Sequence, residues 1–323
     1  MDSFNRGQLL LVGLPRSGTT WIAKLIDSNP DIVYRHEPDT EFRMNVPVII
    51  NSDDTGCEQL ISEYCGNIFN RKGVRVCGKQ PFFKKAYFNL FTEQLFRISV
   101  LVAKLSSRVG ISSKIIEVIN SKNKKAKLFW KSIESAGRVG AILKAVPDIK
   151  VIYVVRSPYG QIASVIDGEA RQKFTDTGSS ADDYGFFEYL LTTKLARDRG
   201  LTMEHVVSMT KLQRLALRWL LHNEHALTEI DKSPHGAIII RYEDVCVNPE
   251  KEAKDIFVFL GLQWYPQTKE FLSNKTDEDK YYSVFKSPIN SMEKWKEKLT
   301  AEDVEVIDQV IKGTKSASLY GVV

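Results

Sequence analysis

A short stretch near the start of the chain combines glycines, hydroxyls and a cation in a pattern that suits an anionic ligand. Gly13 and Gly18 have the G-x-x-x-x-G spacing of a Walker A loop, between an apolar run and a helical pattern. Backbone N–H groups at the start of such a helix bind phosphate or sulfate oxygens. The residues that we expect to hold this anion are Arg16, Ser17, Gly18, Thr19, Thr20 and Trp21.

The loop departs from a Walker A motif at one position. Thr19 stands where an ATPase or GTPase has the lysine that reaches the β- and γ-phosphates, and the cation lies earlier, at Arg16. This difference argues against cleavage of a nucleoside triphosphate. The guanidinium of Arg16 can instead grip two oxygens of one phosphate or sulfate group.

A second arginine follows another apolar run, KVIYVV at 150–155. A P-loop protein that hydrolyses nucleotides would more often have a metal-binding carboxylate at the end of that strand. Arg156 therefore indicates that the end of this strand faces an anion rather than Mg²⁺. Ser164 follows eight residues later and could meet Arg156 on one phosphate. Alternatively, Arg156 pairs with an acidic residue and Ser164 only packs in a helix. Together with the loop at 13–20, the pair favours a nucleotide phosphorylated at two distant points, bound without a metal.

These residues need a scaffold that brings distant loops to one edge. The predicted strands are LLLVG (9–13), DIVYRH (31–36), KLFWKS (127–132), KVIYVV (150–155) and AIIIRY (237–242). The predicted helices cover 17–28, 138–145, 158–166, 212–229, 249–260 and 301–312. Near-continuous apolar strands that alternate with helices indicate an open parallel sheet flanked by helices, an α/β fold of the P-loop type. Ligands of such sheets bind at the carboxyl ends of the strands.

Composition fits one soluble α/β domain of 323 residues, 43% hydrophobic and 26% charged. The segments 40–126 and 167–211 break the alternation and are expected to be helical insertions around the cleft. The first residues hold only a short apolar run, so we expect no signal peptide, no membrane-spanning segment and a cytoplasmic location. One lysine cluster without interleaved aromatics argues against nucleic-acid binding, and four cysteines without C-x-x-C spacing argue against zinc. The oligomeric state, a homodimer included, stays open.

Three motifs, in order, resemble the sulfotransferase superfamily, whose members use 3′-phosphoadenosine 5′-phosphosulfate (PAPS). PRSGTTW is similar to the 5′-phosphosulfate loop, and V-R-S-P followed by Ser164 is similar to the 3′-phosphate site. IIIRYEDVCVNPE (238–250) resembles a strand and turn whose tyrosine, here Tyr242, lines the nucleotide site. The resemblance extends from about residue 8 to the segment FKSPINSMEKWKEKL and implies PAPS as the sulfuryl donor, without a metal. SNPDIVYRHEP is similar to the carbohydrate and tyrosylprotein branches, whereas the closing R-K-G…G-x-W of the cytosolic branch is absent.

The resemblance also implies which residues carry the chemistry. Glu37 has the same offset from the loop arginine as the proposed base of the tyrosylprotein branch. His36 is the rival, because a histidine is the base in the cytosolic branch and titrates nearer neutrality. Lys131 precedes Arg156 by 25 residues, as does the lysine that stabilises the bridging oxygen in the tyrosylprotein branch. Lys79, in VCGKQPFFKK, is the competing lysine.

Other interpretations of these residues are structural. Glu37 would then pair only with Arg35 or Arg43, and Lys131 would belong to a basic surface cluster. Late in the chain, Lys286 is expected by resemblance to close over the nucleotide. A carbohydrate hydroxyl is the first candidate acceptor, a tyrosine hydroxyl the second, and a lipid or small metabolite the third. The competing functions are a P-loop kinase and a catalytically inactive nucleotide-binding module.

Overall fold

Five parallel strands form one sheet in a computed structural model of the chain, which describes residues 7–111, 114–119, 125–171, 179–233, 235–273 and 292–323. The strands are β1 Leu9–Gly13, β2 Ile32–His36, β3 Lys127–Ser132, β4 Lys150–Val155 and β5 Ala237–Arg241. All five predicted strands and the predicted α/β fold are confirmed. The fifth strand ends one residue earlier than expected, because Tyr242 already begins a helix.

The strand order is β2-β3-β1-β4-β5. After β1 the chain continues to β2 at one edge of the sheet, whereas after β4 it continues to β5 at the opposite edge. Neighbouring strands β1 and β4 therefore send their connections in opposite directions. In open parallel sheets such a switch point creates the crevice in which ligands bind. The loops that carry Arg16 and Arg156 lie at this point.

Helices cover both faces of the sheet. They are α1 Thr19–Asp27, α2 Pro38–Glu41, α3 Glu58–Gly66, α4 Val74–Cys77, α5 Leu90–Ser107, α6 Val139–Ala145, α7 Pro158–Ala170, α8 Tyr184–Leu190, α9 Lys194–Asp198, α10 Met203–Ser208, α11 Lys211–Asp231, α12 Tyr242–Val247, α13 Pro249–Leu260, α14 Pro266–Ser273, α15 Ala301–Ile311 and α16 Lys315–Ser318. The six predicted helices are present, α13 with the predicted bounds and the other five with shifted ends. Both segments expected to be insertions contain helices, α3 to α5 in 40–126 and α8 to α10 in 167–211. No helix in the described ranges is both long enough and apolar enough to cross a membrane.

The core has two layers, one on each side of the sheet. Leu10 and Val12 pack with the layer formed by α6, α7 and α11, whereas Leu9 and Leu11 pack with the layer formed by α1, α12 and α13. Successive residues join different layers because side chains alternate along a strand. A fully buried leucine contributes about 1.5–3 kcal/mol through removal from water. The apolar run of β1 is thus explained by burial on both faces.

Gly13 ends β1 where there is no room for a side chain. A Cβ atom at this position would lie 2.6 Å from the carbonyl oxygen of Val154 and 3.0 Å from Cγ2 of Thr19. The first of these atoms is backbone of the neighbouring strand and cannot turn aside. Gly13 therefore allows β1, β4 and the start of α1 to approach one another closely.

We predict that Gly13→Ala destabilises the protein by about 1–3 kcal/mol, because β1 and β4 must separate to admit the methyl group. Gly185→Ala is the matched control, since nothing lies within 4 Å of the position that its methyl group would occupy in α8. That change should alter the free energy of unfolding by less than about 1 kcal/mol. Urea denaturation of the three proteins measures both effects. Equal stability of Gly13→Ala and wild type would contradict the close approach.

Candidate active site

The loop between β1 and α1 is shaped by two residues in the left-handed region. Gly18 has a φ of 79° and caps the N-terminus of α1, so that the helix begins at Thr19 rather than at residue 17 as predicted. A Cβ atom on Gly18 would lie 2.2 Å from Cε2 of Tyr242. Only glycine satisfies both the backbone conformation and this contact. Arg16 also has a positive φ, 71°, which is uncommon for a residue with a side chain.

The loop arginine connects the two predicted anion-binding elements. Nε of Arg16 donates to Oγ of Ser164 at 3.0 Å, and Nη1 of Arg156 donates to the carbonyl oxygen of Arg16 at 2.8 Å. The guanidinium carbon of Arg156 lies 4.9 Å from the ring centroid of Tyr242. Residues from three separate parts of the chain, the β1–α1 loop, the segment from Arg156 into α7 and the start of α12, thus meet at the switch point. Arg156 and Ser164 were expected to meet each other on a ligand, and each of them contacts Arg16.

The hydroxyl groups of the loop differ in their exposure. Ser17 and Thr19 are buried, whereas Thr20 and Trp21 are partly exposed. The first turn of α1 also offers backbone N–H groups that have no acceptor within the helix. These donors and the positive end of the helix dipole make the loop suited to an anion. Trp21 packs against the hydrophobic layer of α1 and α13, so its position has a structural explanation.

Three residues that the sequence did not single out hold this region in shape. Nε1 of Trp219 donates to the carbonyl oxygen of Arg156 at 3.0 Å. The backbone N–H of Ser157 donates to Oε1 of Glu243 at 3.0 Å, and Nε2 of Gln161 donates to the carbonyl oxygen of Pro15 at 2.9 Å. Each bond joins segments far apart in the chain, which no local pattern could have indicated.

The two predicted catalytic residues are in contact on the other side of β1. Nζ of Lys131, in β3, donates to Oε1 of Glu37, and the backbone N–H of Glu37 donates to the carbonyl oxygen of Lys131 at 2.8 Å. Both side chains are buried, with Lys131 only 1% exposed. The assignment of Lys131 to a basic surface cluster is therefore wrong. Arg35 is not the partner of Glu37 either, because it forms a buried ion pair with Glu117 at 2.6 Å.

A second cation on Glu37 comes from the segment that the sequence did not explain. Nε of Arg75, in α4, lies 3.1 Å from Oε2 of Glu37, and Nη2 of Arg75 donates to the same oxygen. The Arg75 side chain is 49% exposed, so it stands at the rim of the cleft. Lys79 is half-buried, and burial lowers the pKa of its ammonium, with the charge of Lys131 adding to the effect and that of Glu37 opposing it. Lys131 is the lysine that bonds to Glu37.

The charges determine which group can accept a proton. Burial would raise the pKa of the Glu37 carboxyl, but Lys131 and the hydrogen bond from Arg75 hold that pKa well below its usual value of 4.5. Burial, reinforced by Lys131, lowers the pKa of His36 to about 3. The Nδ1 atom of His36 lies 2.8 Å from the hydroxyl oxygen of Tyr34. At neutral pH Glu37 is therefore ionised and His36 is neutral.

Other polar residues near the site have structural partners. Oδ2 of Asp39 accepts hydrogen bonds from Ser132 at 2.5 Å and Ser135 at 2.6 Å, which join α2 to the end of β3. Nε2 of His225 lies 3.1 Å from the carbonyl oxygen of Gly137. Within the ranges that the structure covers, no group of three or more His, Cys, Asp or Glu side chains could hold a metal ion. Lys286 lies outside the described residues, so its predicted role stays a prediction.

Comparison with known proteins gives one extensive sequence match. A model described as "Sulfotransferase family" matches residues 8–266. A curated relative, carbohydrate sulfotransferase 3 of Tetronarce californica, is 30% identical over 77 residues. That alignment covers 23% of this chain and only 18% of the relative.

Solved sulfotransferase structures align over most of the chain with low similarity. The sulfotransferase domain from the curacin biosynthetic pathway has 15% identity and a TM-score of 0.41, over 94% of this chain and 97% of its own. A mouse sulfotransferase complexed with PAP has 14% identity and a TM-score of 0.40, over 94% and 82%. Since both TM-scores are low, the structural alignments carry no argument, and the match of the family model over residues 8–266 is the evidence for the family of this chain.

We predict that Glu37→Gln lowers the free energy of unfolding by about 2 kcal/mol at neutral pH, because Lys131 and Arg75 lose their anionic partner. The folded-state pKa of Glu37 is depressed, so its carboxylate stabilises the fold above the unfolded value, near 4.5. This contribution is lost as the pH falls through the folded-state pKa. The difference between the two proteins should therefore be greatest at neutral pH and decrease in acid.

Urea denaturation across this pH range measures the difference. Glu63→Gln, a change at an exposed glutamate in α3, serves as the control and should leave stability unchanged at neutral pH. A Glu37→Gln protein as stable as wild type at neutral pH would show that the ion pair does not stabilise the fold.

Proposed function

The chain belongs to the sulfotransferase family, and we propose that it transfers the sulfuryl group of PAPS to a hydroxyl group, with a carbohydrate as the acceptor. The observation that supports this proposal most is the meeting of Arg16, Ser164 and Arg156 beside the N-terminus of α1. A donor with a 5′-phosphosulfate and a separate 3′-phosphate needs two anion-binding sets. The loop at 14–20 would supply one, and the end of β4 with α7 the other.

The donor-binding residues would divide the nucleotide between them. Arg16, Ser17, Gly18, Thr19 and Thr20 would hold the 5′ end through a guanidinium, hydroxyls and N–H groups. The 3′-phosphate would lie with Arg156 and Ser164, next to Tyr242. The close packing of Gly18 on Tyr242 fits this division, because it brings the helix N-terminus to the tyrosine with no side chain between them.

Glu37 and Lys131 would perform the proton and charge chemistry. PAPS supplies an activated sulfuryl group on a phosphate leaving group. Glu37 is ionised at neutral pH and would accept the proton of the acceptor hydroxyl. Lys131 lies in β3, between the strand that leads to Glu37 and the strand that leads to the phosphate loop. Its ammonium would stabilise negative charge that develops on the leaving oxygen.

The contact between these two residues suggests how the base is activated. The Glu37 carboxylate has a low pKa while Lys131 donates to it, and a low pKa makes it a weak proton acceptor. If Lys131 turns towards an anion at the loop, its charge no longer opposes the effect of burial on the Glu37 carboxyl, and the pKa of Glu37 rises. Anion binding at the loop would thus prepare Glu37 to accept a proton.

The carbohydrate acceptor has weaker support than the donor. The short similarity to a carbohydrate sulfotransferase and the N-P-D…E-P sequence between residues 29 and 38 favour it. Arg75 stands at the rim beside Glu37, so an acceptor hydroxyl must approach the carboxylate next to this guanidinium. A carbohydrate offers hydroxyls and ring oxygens that can accept hydrogen bonds from arginine.

We predict that calorimetry finds much tighter binding of 3′-phosphoadenosine 5′-phosphate (PAP) than of ATP with Mg²⁺. Arg156→Ala should weaken PAP binding about 30-fold or more and ATP binding far less, because only PAP presents a 3′-phosphate. Arg171→Ala, at the far end of α7, is the matched control and should bind both ligands like wild type. Preference of wild type for ATP with Mg²⁺, or equal losses for both ligands in Arg156→Ala, would refute the donor assignment.

We further predict that Glu37→Gln retains PAP binding within about threefold and loses transfer by about 100-fold or more, since the amide cannot accept the proton. Transfer is followed with radiolabelled PAPS and an acceptor found by screening carbohydrates. His36→Gln should retain most of the activity, because burial keeps His36 neutral and Glu37 remains. A large loss in His36→Gln with an active Glu37→Gln would make histidine the base.

A further inference from the structure

One face of α5 is apolar and exposed. Phe91 is 75% exposed, Ile98 and Leu101 are each 57% exposed, and Leu105 is 53% exposed. Val109, just beyond the helix, is 71% exposed. We refer to these five residues as the α5 face.

The spacing of the α5 face makes it one continuous stripe. Positions 91, 98, 101 and 105 fall on the same side of a helix with 3.6 residues per turn. Fourteen residues from Phe91 to Leu105 correspond to about 21 Å of helix. The opposite side of α5 is the packed one, where Val100 and Ala103 join Val76 and Cys77 of α4 in a small core. The residues of the α5 face are therefore not the ones that pack α5 against α4. Exposed apolar patches of this kind mark interaction sites.

The segment of sequence that carries the α5 face is rich in lysine and arginine. Residues 90–127 contain eight lysines and arginines against two glutamates, whereas the whole chain has an excess of only five positive charges. Both glutamates are engaged in ion pairs, Glu93 with Arg97 and Glu117 with Arg35. The excess positive charge of the protein is thus concentrated in the segment that carries the α5 face.

Cations also follow the stripe along the helix. Arg97, Lys104 and Arg108 are seven and four residues apart, so they lie along one edge of the α5 face. Arg97 pairs with Glu93 and Nζ of Lys104 donates to the carbonyl oxygen of Gly78, whereas Arg108 is exposed. Exposed Lys114 and Lys125 follow in the next segments. An apolar helix face bordered by lysine and arginine is the pattern of helices that lie in the interface of an anionic membrane.

We propose that the α5 face docks on the surface of an anionic phospholipid bilayer. The apolar side chains enter the boundary between headgroups and acyl chains, and the exposed cations Arg108 and Lys114 contact lipid phosphates. A second copy of the chain fits the face less well, because an isologous pairing would bring the basic edges of two copies together. Anionic headgroups neutralise the same charges.

Docking would orient the candidate active site. α5 packs on α4, and Nζ of Lys104 donates to the carbonyl oxygen of Gly78 at 2.7 Å, just after that helix. α4 carries Arg75, which bonds to Glu37. A bilayer bound to the α5 face is therefore separated by α5 from the helix that carries Arg75. Resting on the proposed function, we infer that the acceptor is a carbohydrate hydroxyl presented at a membrane surface.

Vesicle sedimentation tests the docking. Wild type should bind vesicles of phosphatidylcholine mixed with phosphatidylglycerol, bind pure phosphatidylcholine weakly, and dissociate from the mixed vesicles as salt is raised. The double variant Leu101→Glu/Leu105→Glu should bind the mixed vesicles at least about tenfold more weakly. Val247→Glu/Val258→Glu is the matched control, since it adds the same charges at exposed valines elsewhere and should bind like wild type.

A second variant examines the charges without touching the apolar residues. Arg108→Glu/Lys114→Glu should weaken binding to the mixed vesicles strongly, because each cation near an anionic surface contributes about fivefold. It should leave the weak binding to pure phosphatidylcholine unchanged. Thermal unfolding and PAP calorimetry of every variant should match wild type, because these side chains are exposed and none of them is a proposed donor-binding residue.

Several outcomes would overturn the docking proposal. They are absence of wild-type binding to the mixed vesicles, equal losses in the valine control, and a wild-type dimer in light scattering that Leu101→Glu/Leu105→Glu separates. A loss of thermal stability in that variant would show that the chain itself covers the face. Failure of wild type to bind PAP would refute the proposed function while leaving the vesicle result to decide the docking.

Discussion

The buried ion pair between Glu37 and Lys131 is the interaction on which one half of the cleft depends. A carboxylate that is nearly inaccessible to water stays ionised only if cations compensate for the lost hydration. Lys131 comes from the adjacent strand and Arg75 from α4, so the same carboxylate joins the sheet to the segment between β2 and β3. α5 packs on that segment in turn. The position of a surface helix is therefore linked, through Arg75, to the charge of a buried group.

The other half of the cleft depends on the strand order. Because the connections diverge between β1 and β4, the loop that carries Arg16 and the turn that carries Arg156 have no crossing helix between them. Arg156 can then donate to the carbonyl oxygen of Arg16, and Arg16 can reach Ser164. Three cations, Arg16, Lys131 and Arg156, thus lie along the ends of three adjacent strands. Adjacent strands are about 4.8 Å apart, so the row suits one extended polyanion better than two separate ligands.

The sequence was sufficient to predict the sheet and the glycine-containing loop after β1 for a physical reason. Parallel strands buried on both faces must be apolar throughout, and runs such as LLLVG and KVIYVV are therefore visible without tertiary information. A loop that needs glycine at fixed spacing is visible in the same way. Arg75 could not be predicted, because its role arises from a contact between residues 38 positions apart. The partner of Arg35 could not be predicted for the same reason, since Glu117 lies 82 residues away.

Two residues in the described part of the chain combine a positive φ with a side chain, and they are Arg16 and Glu37. Such a conformation costs about 1–3 kcal/mol and persists only where the surroundings enforce it. In both cases a backbone group of the residue is hydrogen-bonded to a residue in or just after the neighbouring strand. The carbonyl oxygen of Arg16 accepts from Arg156, after the neighbouring strand β4, and the N–H of Glu37 donates to Lys131 in the neighbouring strand β3.

The left-handed conformation changes the direction of the side chain. A residue in the left-handed region projects its side chain differently from the strand residues before it, so the chain can turn while the side chain stays at the sheet edge. Glycine at either position would relieve the strain and remove the functional group. The conformational cost is thus tolerated at two positions where a side chain must project in a fixed direction, the guanidinium of Arg16 after β1 and the carboxylate of Glu37 after β2. That both sites lie at the carboxyl edge, on strands separated by β3, argues that the fold positions them as parts of one cleft.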